Sequence, residues 1–327
     1  MLQRPGAAIL APMASSTPGP DTPAEPARPE IIALFGPTGV GKTAIAVALA
    51  QLLRDRGEAP VAVSADALQV YAGLETLTGV ASHAERAALD HRLLSFLPLD
   101  ATFSVGEYAK LAHAEIDGLL ADGRKPIVVG GTGLYLRAAL ADLDLPPAPA
   151  RGERERLMAE LEARGAPALH DRLARGAPWA AQGIGEHDWR RIVRALELLQ
   201  AGELLPLQGP SQLWSEELRH PTLLAALTMQ RDELYARIDV RVDAMLAAGA
   251  REEVRRAHAA GVSVTARKAL GFEELLAGDV EAMKRRSRNY ARRQLTWMRK
   301  LAGATPIDVT GRSASSVAEE ILDSAAG

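Results

Sequence analysis

The chain of 327 residues contains no cysteine. Disulfides, thiol nucleophiles and cysteine–zinc sites are therefore excluded, which fits a cytoplasmic location. No apolar run approaches the ~18 residues of a membrane span. Acidic residues are absent from two stretches. The first acid in the chain is Asp21, and none falls between Lys284 and Lys300, where eight basic residues stand. The net charge of −3 thus averages an uneven distribution and does not argue against a nucleic-acid partner.

A 47% hydrophobic share is enough for a proper core, and the length suits one large domain or two ordinary ones. Residues 1–29 hold seven of the twenty prolines and show neither helical nor strand period. They read as a disordered extension. Arg4 followed by Gly6–Met13 has a trace of a signal peptide, but Pro5 and Pro12 interrupt it. The acid-free start keeps an organelle presequence open as the alternative.

The most specific signal is GPTGVGKT at Gly36, Pro37, Thr38, Gly39, Val40, Gly41, Lys42 and Thr43. It lies between the apolar run Ile31–Phe35 and the helical spacing of Ala44–Leu53. Strand, glycine turn and helix are the setting of a phosphate-binding loop. Glycines let backbone N–H groups converge on an anion, and the helix dipole adds to the attraction. Lys42 is expected at the terminal phosphates and the Thr43 hydroxyl on Mg²⁺. Val61–Ser64 predicts a second strand that delivers Asp66 at its carboxyl end, where ligands of open parallel sheets collect. There Asp66 would hold a metal through water, act as a general base, or simply cap a turn. Pro126–Val129 predicts a third strand running into Gly130-Gly-Thr-Gly133, which sets the Thr132 hydroxyl at another carboxyl end; a plain strand-to-helix turn would explain this segment equally well.

Elsewhere, Ser104-Val-Gly-Glu107 reads as a capping box opening a helix to about Asp122, stopped by Gly123. Residues 151–164, 167–175 and 188–201 have helical spacing without strand signals. The expected architecture is therefore α/β: a P-loop NTPase-like parallel sheet flanked by helices over 30–145 and 216–327, with an inserted helical subdomain over 146–215. Leu223–Met229 and Pro306–Val309 read as further strands. Helices are expected over Asp232–Ala248, which carries Arg237 and Arg241, over about Ala266–Ala277, and after a capping box at Ser316–Glu319. In the acid-free stretch, Arg285, Arg288, Arg292 and Arg299 share one helical stripe, with Arg286, Arg293 and Lys300 beside it. A face of one sign differs from an ordinary solvated face, which mixes signs, and suggests contact with a nucleic-acid backbone.

Three functional classes accommodate these features to different degrees. A small-molecule kinase uses the phosphate loop but leaves the basic helix unexplained. An ATP-driven nucleic-acid motor would want a strand ending in Asp-Glu, which Val61–Asp66 lacks. A non-enzymatic, nucleotide-gated RNA binder leaves Asp66 and Thr132 without work.

The segments themselves resemble the bacterial tRNA dimethylallyltransferases, also called tRNA isopentenyltransferases. The resemblance runs from about Ile31 to Lys300. It is carried by GPTGVGKT, SADALQVYAGL at 64–74, HRLL at 91–94, FSVGEY at 103–108, GGTGLYLRAAL at 130–140, RRIVRALEL at 190–198, ARIDVRVDAML at 236–246, ALGFEEL at 269–275 and SRNYARRQLTWMRK at 287–300. It implies that the phosphate loop grips dimethylallyl diphosphate, with Mg²⁺ at Thr43. The acceptor would be the exocyclic amine of the adenosine 3′ of the anticodon, in tRNAs reading codons that start with U. Asp66 matches the family general base, Arg241 a diphosphate-contacting arginine and Thr132 a residue positioning the adenine. Asp66, Ala67, Leu68, Gln69 and Thr132 would also contact the tRNA. Arg190, Arg191, Arg194, Lys268, Arg285, Arg288, Arg292 and Arg293 would meet the rest of the anticodon stem-loop, and a monomer is expected. Four departures from the family pattern bear on tRNA affinity. Ala67 replaces a serine, Val80 a lysine and Arg190 a glutamine, while Phe272-Glu273 replaces tyrosine followed by a basic residue.

Overall fold

The computed structural model describes residues 29–146, 150, 152–206 and 212–325. Residues 1–28 of the tail read as disordered, and 207–211 of the expected insertion, lie outside them. The strands are β1 (Ile31–Phe35), β2 (Pro60–Ala65), β3 (His91–Arg92), β4 (Lys125–Gly130), β5 (Thr222–Thr228) and β6 (Ala304–Asp308). They form one parallel sheet in the order β3-β2-β4-β1-β5-β6. β1 shows why it lies at the centre. Ile32 and Leu34 join one apolar layer, Ile31, Ala33 and Phe35 the other, and all five are buried. A strand apolar on both faces fits only between two helical layers.

Helix α1 (Lys42–Asp55) leads from β1 to β2. The short α2 (Glu75–Thr78) and α3 (His83–Ala88) precede β3, and α4 (Val105–Ala121) precedes β4. Ser104 and Glu107 close the expected capping box on α4, with reciprocal bonds of 3.2 and 2.8 Å. Beyond β4 come α5 (Gly133–Leu140), α6 (Glu153–Gly176), α7 (Pro178–Gln182) and α8 (Trp189–Ala201). The chain breaks helical geometry at Gly165 inside α6, so its two segments match the two expected. Leu157, Leu169, Leu173, Ile192 and Leu196 give α6–α8 an apolar cluster of their own. After β5 follow α9 (Arg231–Ala247), α10 (Ala250–Ala260), α11 (Phe272–Leu276) and α12 (Val280–Met298), then β6 and α13 (Ala314–Ser324). Leu49 and Leu53 of α1 pack with Val317 and Ile321 of α13 on one side of the sheet; Tyr108 and Ile116 of α4 cover the other.

Three local expectations are corrected. The helix expected over Ala266–Ala277 is a 3₁₀ turn at Ala266–Lys268 followed by α11. Gly271 between them has φ 97°, a conformation open to glycine, and the resulting turn drives Phe272 fully into the core. The C-terminal helix starts earlier than expected. Ser313, not Ser316, is its N-cap, with its hydroxyl accepting from Ser316 N at 3.2 Å. That start sets Val317, Ala318, Ile321 and Leu322 on one buried stripe. Finally, the sheet has a sixth strand, β3, whose two residues are too few to show a period.

Candidate active site

Strand register assembles the site. Phe35 and Ala65, the last residues of β1 and β2, both pair with Gly130, the last of β4. Gly36, Asp66 and Gly131 therefore leave the sheet side by side, from three strands that are distant in sequence. They open into a cavity of about 530 Å³. Its lining includes Thr38, Gly39, Gly41, Lys42, Thr43, Asp66, Ala67, Leu68, Gln69, Thr132, Arg241 and Lys268. Gly36, Pro37 and Val40 are buried behind that lining and shape the loop.

In the phosphate loop Gly39 and Gly41 take φ of 84° and 101°, and α1 starts at Lys42, so the N-terminal amides face the cavity. Lys42 Nζ donates to the carbonyls of Gly36 and Pro37 at 2.9 and 3.0 Å. Burial, reinforced by the Arg241 guanidinium, pushes its ammonium down from 10.5 to about 8, with Asp66 opposing. Arg241 is also lowered by burial, with Asp66 opposing. Among the described residues nothing hydrogen-bonds or ion-pairs with its guanidinium. Two desolvated cations around one space make a strong anion site. Arg237, one turn earlier, pairs instead with Glu233 at 3.7 Å.

Asp66 caps the turn, one of its expected roles, and also lines the cavity. Its Oδ1 accepts from Leu68 N at 2.9 Å, fixing the turn after β2, while Oδ2 has no partner among the described residues and the side chain lines the cavity. Gln69 is spent on scaffolding: it accepts from Ser64 Oγ at 3.1 Å and donates to the carbonyls of Thr78 and Gly79 at 3.3 and 3.1 Å. Thr132 Oγ1 lies 3.1 Å from the Tyr290 hydroxyl, which burial, then the Asp66 charge, push up to about 12.

Sequence reasoning missed Gln294. This buried α12 side chain accepts from Thr38 N at 2.9 Å and donates from Nε2 to Gly131 O at 2.6 Å. It stitches the phosphate loop to the glycine turn after β4. Gly131 permits this approach, since a Cβ there would stand 2.4 Å from Nε2. A polar residue too long to satisfy itself on its own helix, set on the buried stripe of Met283, Ser287, Ala291 and Met298, is the signal that would have found it.

The basic stripe on α12 is only partly free. Lys284 pairs with Asp243 at 2.7 Å, Arg286 with Glu274 at 2.6 Å, and Arg288 with Asp239. The expectation of a purely positive exposed face is corrected accordingly: carboxylates of α9 and α11 reach it. Arg285 and Arg292 are exposed and without an ion pair among the described residues, and Arg293 lies 5.6 Å from the Tyr290 ring. On α8, Arg190 stacks on Trp189, Arg191 binds Asp188 at 2.6 Å, and Arg194 donates to Glu197 and to Pro146 O, both at 3.0 Å. Lys268 is lowered by burial and then by Arg154 and Arg190, so α6 and α8 bring positive charge to the cavity mouth. At the Phe272-Glu273 departure the added carboxylate is paired within the chain, Arg267 donating to Glu273 at 2.5 Å.

Among the described residues no three His, Asp or Glu side chains converge on a metal, and no helix is long and apolar enough to cross a membrane. Thr43 with Asp66 still fits a magnesium ion, which commonly takes one or two protein oxygens and fills its remaining positions from substrate phosphates and water.

The family model described as IPP transferase matches residues 69–301. A tRNA dimethylallyltransferase from Thermobifida fusca is 41% identical over 283 residues, covering 83% of this chain and 87% of that protein. One from Anaeromyxobacter dehalogenans is 42% identical over 287 residues, covering 84% and 93%. Among solved structures, the tRNA isopentenylpyrophosphate transferase of Bacillus halodurans superposes with a TM-score of 0.65 at 32% identity, covering 91% of this chain and 95% of that one. A eukaryotic dimethylallyltransferase acting on tRNA gives 0.68 at 25%, covering 86% and 74%. With the family model spanning most of the chain and relatives above 40% identity along it, the chain belongs to the tRNA dimethylallyltransferase family.

Proposed function

We propose that the chain transfers a dimethylallyl group from dimethylallyl diphosphate to the exocyclic amine of the adenosine 3′ of the anticodon, in tRNAs reading codons that start with U. The observation that carries this reading is the meeting, in one cavity, of two desolvated cations with a carboxylate whose second oxygen is free. The allylic carbon–oxygen bond breaks and its electrons leave with the diphosphate, while the adenine nitrogen forms the new carbon–nitrogen bond. Lys42, Arg241 and the loop amides from Gly36 to Thr43 stabilise the departing charge. Asp66 Oδ2 accepts the amine proton, which matters because an aryl amine is a weak nucleophile. Thr132, held by Tyr290, orients the adenine edge. Thr43, with Asp66 through water, would hold a magnesium ion, which would supply further neutralisation of the leaving group.

In this reading residues 30–145 and 216–327 form the reacting core, and the insertion 146–215 brings Arg190, Arg191 and Arg194 to the RNA. Lys268, Arg285, Arg288, Arg292 and Arg293 add backbone contacts that offset the cost of extruding the base, and Ala67, Leu68 and Gln69 flank it. In this reading the protein works as a cytoplasmic monomer. The test is incubation of the protein with dimethylallyl diphosphate or ATP and an anticodon stem-loop, followed by mass spectrometry of the nucleosides. Prenylated adenosine with released pyrophosphate is expected. ADP with a phosphorylated acceptor, and no prenylated adenosine, would make the chain a kinase.

A further inference from the structure

We propose that a second, aromatic recess beside Thr132 receives the base of a nucleotide flanking the one that reacts. The recess, about 410 Å³, shares Gly131, Thr132, Tyr290, Arg293 and Gln294 with the reacting cavity, and adds Trp214, Trp297 and Lys300. Lys42 and Asp66 line only the reacting cavity, so the recess adjoins the chemistry without containing its groups. The inference rests on the tRNA reading above and adds a subsite to it.

The walls are flat and apolar, and the mouth is cationic. Trp214 and Trp297 lie 4.6 Å apart at 49°, half-buried rather than sealed. Lys300 Nζ is 5.4 Å from the Trp214 ring, and Arg293 is 5.6 Å from that of Tyr290. Trp297 is fixed by a close backbone approach: a Cβ on Gly133 would stand 2.2 Å from its ring. Rings that stack a base, beside cations that meet the phosphates on either side, are how single-stranded RNA is held. Two other occupants fit less well. The dimethylallyl tail must stay beside its diphosphate at Lys42, and the reacting base must reach Asp66. A base one step along the strand has neither constraint, and the shared wall at Thr132 sets it next to the reacting one.

The experiment uses the full chain and anticodon stem-loops, each with one abasic loop position. Affinity is read by fluorescence anisotropy for wild type, Trp214→Ala and Trp214→Phe, with dimethylallyl diphosphate affinity as the folding control. Intact RNA should be prenylated by wild type, and one flanking abasic position should weaken wild-type binding by about tenfold. Trp214→Ala should lose a similar factor on intact RNA, show no further loss on that abasic RNA, and keep its diphosphate affinity; Trp214→Phe should restore most of the loss. If every abasic RNA loses the same factor in wild type and Trp214→Ala, the recess holds no base and the inference is overturned while the tRNA reading stands. Failure of wild type to prenylate the intact RNA would overturn both.

Discussion

The phosphate loop and helix α12 both carry positive charge assigned to phosphate in the proposed function, and they hold it in opposite ways. In the cavity there are two cations that burial has stripped of water: Lys42 falls to about 8, and Arg241 has no hydrogen-bond or ion-pair partner among the described residues. On α12 six basic residues stand, with Arg299 and Lys300 just beyond its end, yet Lys284, Arg286 and Arg288 are already compensated by Asp243, Glu274 and Asp239. A desolvated charge is worth several exposed ones, since solvent and salt screen the latter. Gripping a small leaving group thus needs few groups held deep, whereas tracking a long RNA backbone needs many, individually weak. Counting positive residues along the sequence therefore misjudges both sites.

The largest effect that would sharpen this contrast lies in the cavity. Asp66→Asn should lower prenyl transfer by roughly 10²–10⁴-fold while leaving the affinity for dimethylallyl diphosphate nearly unchanged. Transfer at the wild-type kcat would remove Asp66 from the base role. Next comes the link between the regions. Gln294→Ala leaves Thr38 N and Gly131 O without their partner and should cost about 1–3 kcal/mol in denaturant unfolding. It should also weaken diphosphate binding, although Gln294 sits on the helix proposed to meet RNA. Intact affinity with lowered stability would reduce it to a packing residue.

A third prediction concerns pH. Folding lowers the Lys42 pKa from 10.5 to about 8, so the charged amine burdens the folded chain below pH 8 and that burden lifts as pH rises toward 10.5. A bound diphosphate restores the proton. Above pH 8 binding should therefore take up a proton, and affinity should fall by up to about tenfold per pH unit. Calorimetry in buffers of different ionisation enthalpy reads the uptake directly, and Lys42→Arg should abolish it. Equal heats for wild type in all buffers at pH 9 would contradict the buried-cation account. The smallest effect separates two arginines on one stripe. Arg292→Ala should reduce the log–log salt slope of RNA binding by about one, and Arg288→Ala by less, because Asp239 already balances it. Equal slopes for the two variants would erase the distinction between paired and free charges.

Much of the reacting end was legible before any coordinates. The phosphate loop, the strand ahead of it and the Ser104 capping box depend on residues within a few positions of one another, and their chemistry is written in that order. Asp66 and Thr132, which both line the cavity, were singled out by the same logic, because each follows an apolar run at its carboxyl end. The two-residue β3 offered no period to read. Gly271 was taken into a helix because its left-handed backbone becomes necessary only once Phe272 must enter the core.

By itself, the sequence determined which segments could be strands, helices and anion-binding turns, since apolar period, glycine and caps act over short range. Only the tertiary structure decided who meets whom. Register on β4 set Asp66 beside the phosphate loop, Gln294 reached Thr38 across 256 positions, and Asp239 came to rest on Arg288. Those pairings follow from the packing of whole helices on the sheet, and packing joins residues whose separation along the chain carries no trace of the contact.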